Sequence, residues 1–413
     1  MPGSALPASK QRALADAAPP RRLRRMLSLA DFEAAARRRL PHAIYGFLSG
    51  GAEDNASVTG NRTAFREFAL VPRVLVDVSR RTQATTLFGR SYAAPFGVAP
   101  LGIAALAAYR ADLVLARAAA QANIPMILSG SSLIRLEEIA AAGGDNWFQA
   151  YLPGDAPRIA ALVERVAHAG FEVLVLTLDT AVAANRENNE RAGFSAPLRP
   201  SLRLAVDGLT HPRWLAGTLM RTLMRHGMPH FENSYATRGV PLISSVVLRA
   251  YAERGHLNWQ HFAQVRRMWK GKLVVKGILA KEDARKACDS GADGIIVSNH
   301  GGRQLDGAVS PLRVLPGIAA ACPGIPVMLD GGIRRGTDVV KALALGARFV
   351  FLGRPFLFAA AVAGGAGVSH AIDILASEID RDLGLLGVTS PDQLDAAYLY
   401  HLPGTTGVTR LEI

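Results

Sequence analysis

The run Ser298-Asn299-His300-Gly301-Gly302-Arg303-Gln304-Leu305-Asp306 places a histidine just beyond a β-branched apolar stretch, with an arginine three residues on. Histidine takes up a proton near neutral pH, and the flat guanidinium of arginine grips a carboxylate at two points. A second set, Asp179 and Arg186, follows another apolar stretch, Val173 to Thr177. Asp179 suits the far nitrogen of the imidazole, where it would stabilise the cation once the proton arrives. One such histidine would read as structural. Four groups of these types, each just past an apolar run, describe proton abstraction from an anionic substrate.

Two further loops suit an anion of another kind. Asp330-Gly331-Gly332-Ile333-Arg334-Arg335-Gly336 and Gly353-Arg354-Pro355 each combine glycine with arginine. Glycines let backbone N–H groups approach a phosphate, and arginine matches its oxygens. There is no Walker-type lysine and no GxGxxG opening a helix, so the phosphate tail of a cofactor is the better reading. Lys276 ends a stretch of Leu, Val and Val, where an ammonium group needs an anionic partner. Either it forms an ion pair, with Asp330 or Asp306, or it stands beside the N1 edge of a flavin whose reduced ring is anionic. Ser129, Gln149 and Thr177 add neutral hydrogen-bonding partners for such a ring.

The elements that must position these residues follow from the apolar periodicity. Eight short runs read as strands: Phe96 to Ala99, Met126 to Ser129, Phe148 to Tyr151, Val173 to Thr177, Leu273 to Lys276, Ile295 to Ser298, Val327 to Asp330 and Phe349 to Gly353. Alanine-rich segments of helical period lie between most of them, including 111–122, 157–169, 281–290 and 336–345. Alternation of this kind predicts parallel strands with crossover helices, either a doubly wound sheet or a closed barrel. The polar strand ends decide for an α/β fold of the (β/α)8 TIM-barrel type, because chemistry collects at the carboxyl ends of all eight barrel strands. A capped helix starting at Ser28 leads into it, and a long insertion follows the fourth strand.

Composition agrees and narrows the setting. The chain has 413 residues, a formal net charge of +13 and 49% hydrophobic residues, which excludes bulk disorder. Cys288 and Cys322 lack metal-ligand spacing and point to a reducing compartment. The longest uncharged stretch, 91–109, is interrupted by prolines and glycines and does not read as a membrane span. Residues 1–27, rich in Arg, Ala and Pro, read as a basic tail without the apolar block of a secretory signal, leaving 28–413 as one domain.

The His300 segment together with Asp330 to Gly336 resembles the FMN-dependent L-2-hydroxy-acid dehydrogenase and oxidase family, over about Ser28 to the carboxyl terminus. Leu75 to Arg81, His211 to Trp214 and Arg225 to Pro229 bring the likeness nearest to its membrane-associated, mandelate-oxidising members. The resemblance implies FMN as cofactor, with His300 as base, Asp179 as its partner, Arg186 and Arg303 as carboxylate clamps, and Tyr151 as a hydroxyl near the substrate oxygen. It implies that Lys276 meets flavin N1 and that Ser129, Gln149, Thr177 and Ser298 bind the ring. Asp330, Gly331, Gly332, Arg334, Gly353 and Arg354 would hold the ribityl phosphate arm, and Ala99, Pro100, Leu101 and Gly102 would lie against N5. It also implies a homotetramer.

Departures from the family bear on the substrate. Phe47 stands where most relatives carry a tyrosine whose hydroxyl touches the substrate carboxylate, and Tyr45, two residues back on a helix, points to another face. Ser131 replaces a bulky tryptophan of glycolate oxidase and predicts a wider pocket for an aryl or branched side chain. Gly102, in place of an alanine common in the oxidases, points to a dehydrogenase.

The insertion, about 187–270, includes a segment, 195–231, in which Arg199, Arg203, Arg213, Arg221 and Arg225 interleave with Trp214, Leu219, Met220 and Met224. That pattern suits either an ordinary active-site lid with solvated charge or an anionic membrane surface, and with the latter a quinone acceptor on the cytoplasmic face of the inner membrane. The alternatives are an oxidase that passes electrons to oxygen, and a basic membrane- or nucleic-acid-binding protein without catalysis. Nucleic acid is disfavoured, since aromatics are only 7% and the arginines of interest sit at strand ends.

Overall fold

The computed structural model describes residues 20, 22–195, 198–244 and 254–402. Eight strands form its centre: β1 (Phe96–Val98), β2 (Met126–Ser129), β3 (Asn146–Ala150), β4 (Val173–Thr177), β5 (Lys272–Ile278), β6 (Gly294–Val297), β7 (Val327–Asp330) and β8 (Phe349–Leu352). Each pairs in parallel with its neighbour, and β8 pairs with β1 to close the barrel. Closure excludes the doubly wound alternative. The alanine-rich segments form the expected crossover helices, Ala111–Gln121, Ala156–His168, Lys281–Asp289 and Gly336–Ala344.

The two-residue period of a strand explains how the polar residues reach one place. Ile127, Trp147, Val175, Val274, Ile296, Met328, Phe349 and Phe351 pack together inside the barrel. Counting on by two along each strand gives Ser129, Gln149, Thr177, Lys276, Ser298, Asp330 and Gly353. The polar set is therefore the next inward-facing layer above an apolar plug, at the carboxyl ends of the strands. Register keeps it level: Ser129 stands opposite Gln149, and Thr177 opposite Lys276. Alternate residues such as Leu128, Phe148, Leu176, Val275 and Leu329 face outward into the larger core beneath the helices.

Ahead of the barrel lie α1 (Leu29–Arg39) and α2 (His42–Ser49). The Asp31 carboxylate accepts from the Ser28 amide at 2.8 Å, and Leu29, Phe32 and Ala36 are buried. Order begins earlier than the expected Ser28. Leu23–Arg25 forms a short helical turn with Leu23 fully buried, and His370 Nε2 lies 3.0 Å from the Met26 carbonyl, so the last residues of the expected tail belong to the fold. Residues 1–19 lie outside the described residues.

The insertion is also shorter than expected at its far end. Helix Trp259–Met268 packs on Ala156–His168 as one of the outer ring, which leaves the segment before it as the inserted part. That part carries α3 (Leu202–Leu209), a π-helical stretch at Leu215–Met220 and α4 (Arg221–His226). The last crossover, α5 (Arg354–Leu386), is long and apolar enough to cross a membrane, but its apolar window is mostly buried against α1 and its neighbours. Non-helical backbone at Ala363 and Gly364 breaks it into a short first piece and a longer second one. Cys288 and Cys322 are free thiols with their sulfurs 2.7 Å apart.

Asp112, at the start of helix Ala111–Gln121, is 1% exposed, and its Oδ2 has no hydrogen-bond partner. Burial pushes its carboxyl up to about 7, against the lowering effect of the Ser132 hydroxyl. A folded-state value above the unfolded one favours the fold at low pH, and the benefit fades as pH climbs from about 4 through 7. Asp112→Asn should therefore gain on the wild type in melting temperature as pH is raised from 4 to 8, by a few degrees at the upper end. Parallel melting curves for the two proteins across that range would contradict this account of Asp112.

Candidate active site

A cavity of about 520 Å³ opens over the carboxyl ends of the strands. Its floor and one wall come from Ala99, Pro100, Leu101 and Gly102 after β1, and from Thr177, Lys276 and Asp330. Tyr151, Arg186, His300 and Arg303 line one region, and Gly331, Gly332, Arg334, Gly353 and Arg354 line another. Ser129, Ser298 and Asp179 are not on its surface but are bonded to Ser131, Lys276 and His300, which are, and Gln149 lies one step further back, accepting from Ser129. Every expected site residue except Gln149 is thus in this lining or bonded to a residue of it.

His300 owes its place to a strained turn. His300, Gly301 and Gly302 all have positive φ, at 58°, 64° and 77°. A Cβ on Gly302 would come within 2.6 Å of the Val58 amide nitrogen, so only glycine lets this loop sit against the helix Ala56–Thr63. Asn61 and Asn299 lock the contact by exchanging amide hydrogen bonds of 2.7 and 2.8 Å. The imidazole then has Nδ1 3.0 Å from Asp179 Oδ1 and Nε2 3.4 Å from the Tyr151 hydroxyl. Burial pulls its pKa down, Asp179 opposes that, and the positive fields of Lys276 and Arg186 reinforce it. The Asp179 carboxyl is raised by burial but lowered more by His300 and Lys276, and ends below its ordinary value. A neutral imidazole held by an ionised carboxylate is a base ready for one proton.

The two guanidinium groups beside it are fixed by different means. Arg186 Nε donates to the Arg303 carbonyl at 3.1 Å, and one of its terminal nitrogens donates to Gln304 Oε1 at 2.7 Å. Gln304 in turn donates to the Asp179 carbonyl at 3.0 Å, tying the arginine to the histidine's partner. Arg303 donates to the carbonyls of Phe47 and Gly50 at the end of α2, and its guanidinium lies 4.9 Å from the centre of the Phe47 ring. Phe47 also packs on Phe194 at 4.4 Å, whereas Tyr45 stacks on Phe358, away from the cavity, as the helical geometry requires.

Lys276 is the buried cation of the site. Its Nζ lies 2.9 Å from Asp330 Oδ2 and 2.9 Å from the Ser298 hydroxyl. Of the two carboxylates considered from sequence, Asp330 is the partner; Asp306 is occupied elsewhere, accepting from the amides of Ala56 and Ser57. Burial alone would lower the lysine, but Asp330 and Asp179 raise it above its ordinary value.

Several features suit a flat, hydrogen-bonding ring with a phosphate tail. Gln149 Oε1 accepts from Ser129, yet its buried Nε2 has no partner among the described residues, a donor waiting for an acceptor. At Gly332 a Cβ would lie 2.1 Å from the Asn61 carbonyl oxygen, which keeps that backbone bare. Arg334 and Arg354 are half-buried: burial, then Arg62 and Arg354, push Arg334 down to about 9 although Glu33 lies 3.8 Å away, and burial, then Arg62 and Arg186, push Arg354 down to about 10. Among the described residues Arg354 has no ion-pair partner, only the carbonyls of Gly301 and Gly50. An anion is what this corner lacks.

Sequence reasoning missed the residues that finish the cavity from the insertion and beyond: Phe194, Leu198, Phe231 and Leu242. It also missed Gln304, although that residue lies inside the motif already singled out.

Comparison with known proteins places this geometry. The family model described as FMN-dependent dehydrogenase matches residues 36–401. (S)-Mandelate dehydrogenase of Pseudomonas putida is 39% identical over 375 residues, covering 91% of this chain and 94% of that protein. L-Lactate dehydrogenase of Caulobacter sp. (strain K31) is 38% identical over 379 residues, covering 90% and 98%. The crystal structure of the monotopic membrane protein (S)-mandelate dehydrogenase matches with a TM-score of 0.83 at 38% identity, over 91% of this chain and 99% of that one.

If the corner formed by Gly331, Gly332, Gly353, Arg334 and Arg354 is an anion site, apoprotein should melt at a higher temperature in inorganic phosphate than in chloride of equal ionic strength, and higher still with FMN. Arg354→Met should abolish the phosphate-specific gain and weaken FMN binding at least tenfold by fluorescence titration. An unchanged affinity would remove Arg354 from the site.

Proposed function

The chain belongs to the FMN-dependent dehydrogenase family, and on that premise we propose that it oxidises a mandelate- or lactate-like L-2-hydroxy acid to the 2-oxo acid, with the chain from Leu23 onward as the catalytic domain. The observation that carries this reading is His300, held by Asp179 and flanked in one cavity by Arg186 and Arg303. FMN, when bound, supplies the two-electron acceptor. Gly331, Gly332, Arg334, Gly353 and Arg354 would hold its phosphate arm with Asp330; Ser129, Gln149, Thr177, Ser298 and Lys276 its ring; and the backbone of Ala99 to Gly102 its N5 face.

The protein's own part is to bind, orient and take a proton. Arg186 and Arg303 receive the substrate carboxylate and fix the carbon beside it. The Tyr151 hydroxyl, beside His300, donates to the substrate oxygen. His300 Nε2 accepts the proton, from the hydroxyl or from the carbon, and Asp179 stabilises the imidazolium through Nδ1. Lys276 keeps positive charge under the site throughout, since its pairing with Asp330 holds it protonated. Apolar lining from Phe47, Phe194, Leu198, Phe231 and Leu242 favours an aryl or branched substituent on the substrate.

Electrons pass, in this reading, to a quinone at a membrane. Leu202, Val206 and Leu209 are exposed on one face of α3, and Met220, Met224 and Met228 are exposed along and after α4. Such apolar stripes are out of place in water and suit the headgroup boundary of a lipid leaflet, here the cytoplasmic face of the inner membrane. The arginines expected to flank them, Arg199, Arg203, Arg213, Arg221 and Arg225, are all exposed, with Arg203 also donating to the Arg191 carbonyl and Arg221 lying over the Tyr109 ring. A homotetramer belongs to the same reading. Transfer to oxygen is the alternative acceptor chemistry.

The purified protein should be yellow, and an L-2-hydroxy acid should bleach it in the absence of air. His300→Ala should keep the colour and lose the bleaching rate by about 10²–10⁴-fold; equal rates would remove His300 from its role. In the wild type, kcat/KM should fall on the acid side, where the base is protonated, with a midpoint below the ordinary histidine value of about 6.5. A midpoint above it would mean that Asp179 outweighs burial. Replacing Met220, Met224 and Met228 by Asp should cut co-sedimentation with anionic lipid vesicles at least tenfold; undiminished sedimentation would refute the assigned contact surface.

A further inference from the structure

A second cavity, of about 650 Å³, lies beside the first under the inserted segment. Leu106, Ile134, Trp214, Leu219 and Met228 give it apolar walls, Thr222 and His226 also line it, and its charged lining pairs off within itself, Arg110 with Glu138, Arg165 with Glu137 and Arg238 with Glu232. Nothing in the proposed hydroxy-acid chemistry uses it.

Its position is its main property. Three short stretches of chain supply one residue to each cavity: Ile103 faces the first and Ala105 the second, Ser131 the first and Leu133 the second, Phe231 the first and Glu232 the second. Hydrogen bonds weld this partition, from the Ile103 amide to the Ser131 carbonyl at 3.0 Å and from the Glu232 amide to the Ser132 carbonyl at 3.1 Å. The wall is therefore one layer of residues thick, and it begins at Gly102, beside the stretch read as the flavin's N5 face. On the other side, the Trp214 indole donates to the Leu106 carbonyl at 2.7 Å and pins the inserted segment to the wall. Directly after it comes the π-helical stretch Leu215–Met220, a backbone form that costs hydrogen-bond geometry and recurs at functional sites. That stretch turns Leu219 to the cavity, while Met220 and Met224 are exposed outside.

We propose that this second cavity binds the headgroup of a lipid-soluble quinone, which reaches it from the membrane past Met220, Met224 and Met228. The proposal rests on the reading that this face meets a membrane. A benzoquinone ring needs flat apolar walls and a hydrogen-bond donor for a carbonyl. His226 can be that donor through Nδ1: its Nε2 faces the Tyr109 hydroxyl at 2.8 Å and an Arg110 nitrogen, which can only donate, at 3.4 Å, so Nε2 accepts and the N–H is on the other ring nitrogen of this exposed residue. The overall exchange balances. The hydroxy acid loses the hydrogens of one C–H and one O–H bond, two electrons and two protons in all, and becomes the 2-oxo acid. The two quinone oxygens gain two electrons and two protons, form two O–H bonds and yield the quinol. An acyl chain would fit the apolar walls as well, but makes no use of His226 or of the shared partition.

The test uses holoenzyme in detergent, with a decyl-substituted benzoquinone as probe, equilibrium dialysis for binding, and a water-soluble dye as second acceptor. Leu219→Trp, which fills the cavity, and Thr222→Phe, which narrows it, should each weaken quinone binding and slow quinone reduction at least tenfold. Dye reduction and anaerobic bleaching should stay within twofold of the wild type. Quinone binding unchanged in both variants overturns the proposal, and so does equally tight competition by a decyl compound lacking the quinone ring. Equal loss of the dye and quinone rates overturns it too. Wild-type enzyme that no hydroxy acid bleaches would instead refute the proposed substrate chemistry, while dialysis would still judge the cavity.

Discussion

A lysine ammonium buried inside the barrel is the constraint around which the mouth of the barrel is built. The Lys276 side chain is 4% exposed, and a charge so placed must be matched or lost. Asp330 matches it directly, and the Ser298 hydroxyl lies 2.9 Å from the ammonium and 3.1 Å from that carboxylate. The same hydroxyl accepts from the His300 amide at 3.0 Å, so the arrangement that satisfies the cation also fixes the backbone of the histidine. Its field helps to hold His300 neutral and Asp179 ionised, the protonation states that a base and its partner need. One buried charge thus links β5, β6 and β7 and sets the electrostatics of the residues above them.

Much of this was readable from the chain because the barrel imposes two simple rules. Strands alternate, so a polar residue two places beyond an inward-facing apolar one must face inward too; and closure brings all such residues together. Ser129, Gln149, Thr177, Lys276, Ser298 and Asp330 follow from these rules alone. What escaped depends on contacts with no periodic signal. Gln304 joins Arg186 to Asp179 through bonds to residues more than a hundred positions away, and its type says nothing of that. Asn61 reaches Asn299 across 238 positions. Phe194 and Phe231 come from an insertion whose path no repeat predicts, and Leu23 is buried by packing although its neighbours read as a basic tail.

Phe47 shows how a lost hydroxyl is accommodated without a loose side chain. A tyrosine here would offer the substrate one neutral hydrogen bond, worth about 1.5–3 kcal/mol to a charged partner. The phenylalanine instead packs on Phe194 and carries the Arg303 guanidinium on its face. With the carbonyls of Phe47 and Gly50 also engaged, the arginine is held from two directions. In the proposed reaction the carboxylate then depends more on formal charge, and the neighbouring wall becomes more apolar. A larger, less polar substituent is the substrate feature that such an exchange favours.

The same insertion that closes the substrate cavity builds the second one, and this couples three properties that need not have been coupled. Phe231 completes the first cavity, Glu232 lines the second, and the chain leading to them carries the exposed methionines. A β-barrel core offers no apolar surface for a membrane, since its inward face is packed and its outward face is covered by helices. An inserted element can add one without disturbing either layer. Gly102 sits where the partition begins, and a Cβ there would meet the Ser131 Cβ at 3.2 Å, so the bare backbone at this point lets the two stretches of the partition lie close together. In the proposed reading, where electrons are handed onward to a quinone, a thin wall between the two cavities keeps donor and acceptor sites close, which a sealed pocket would not need.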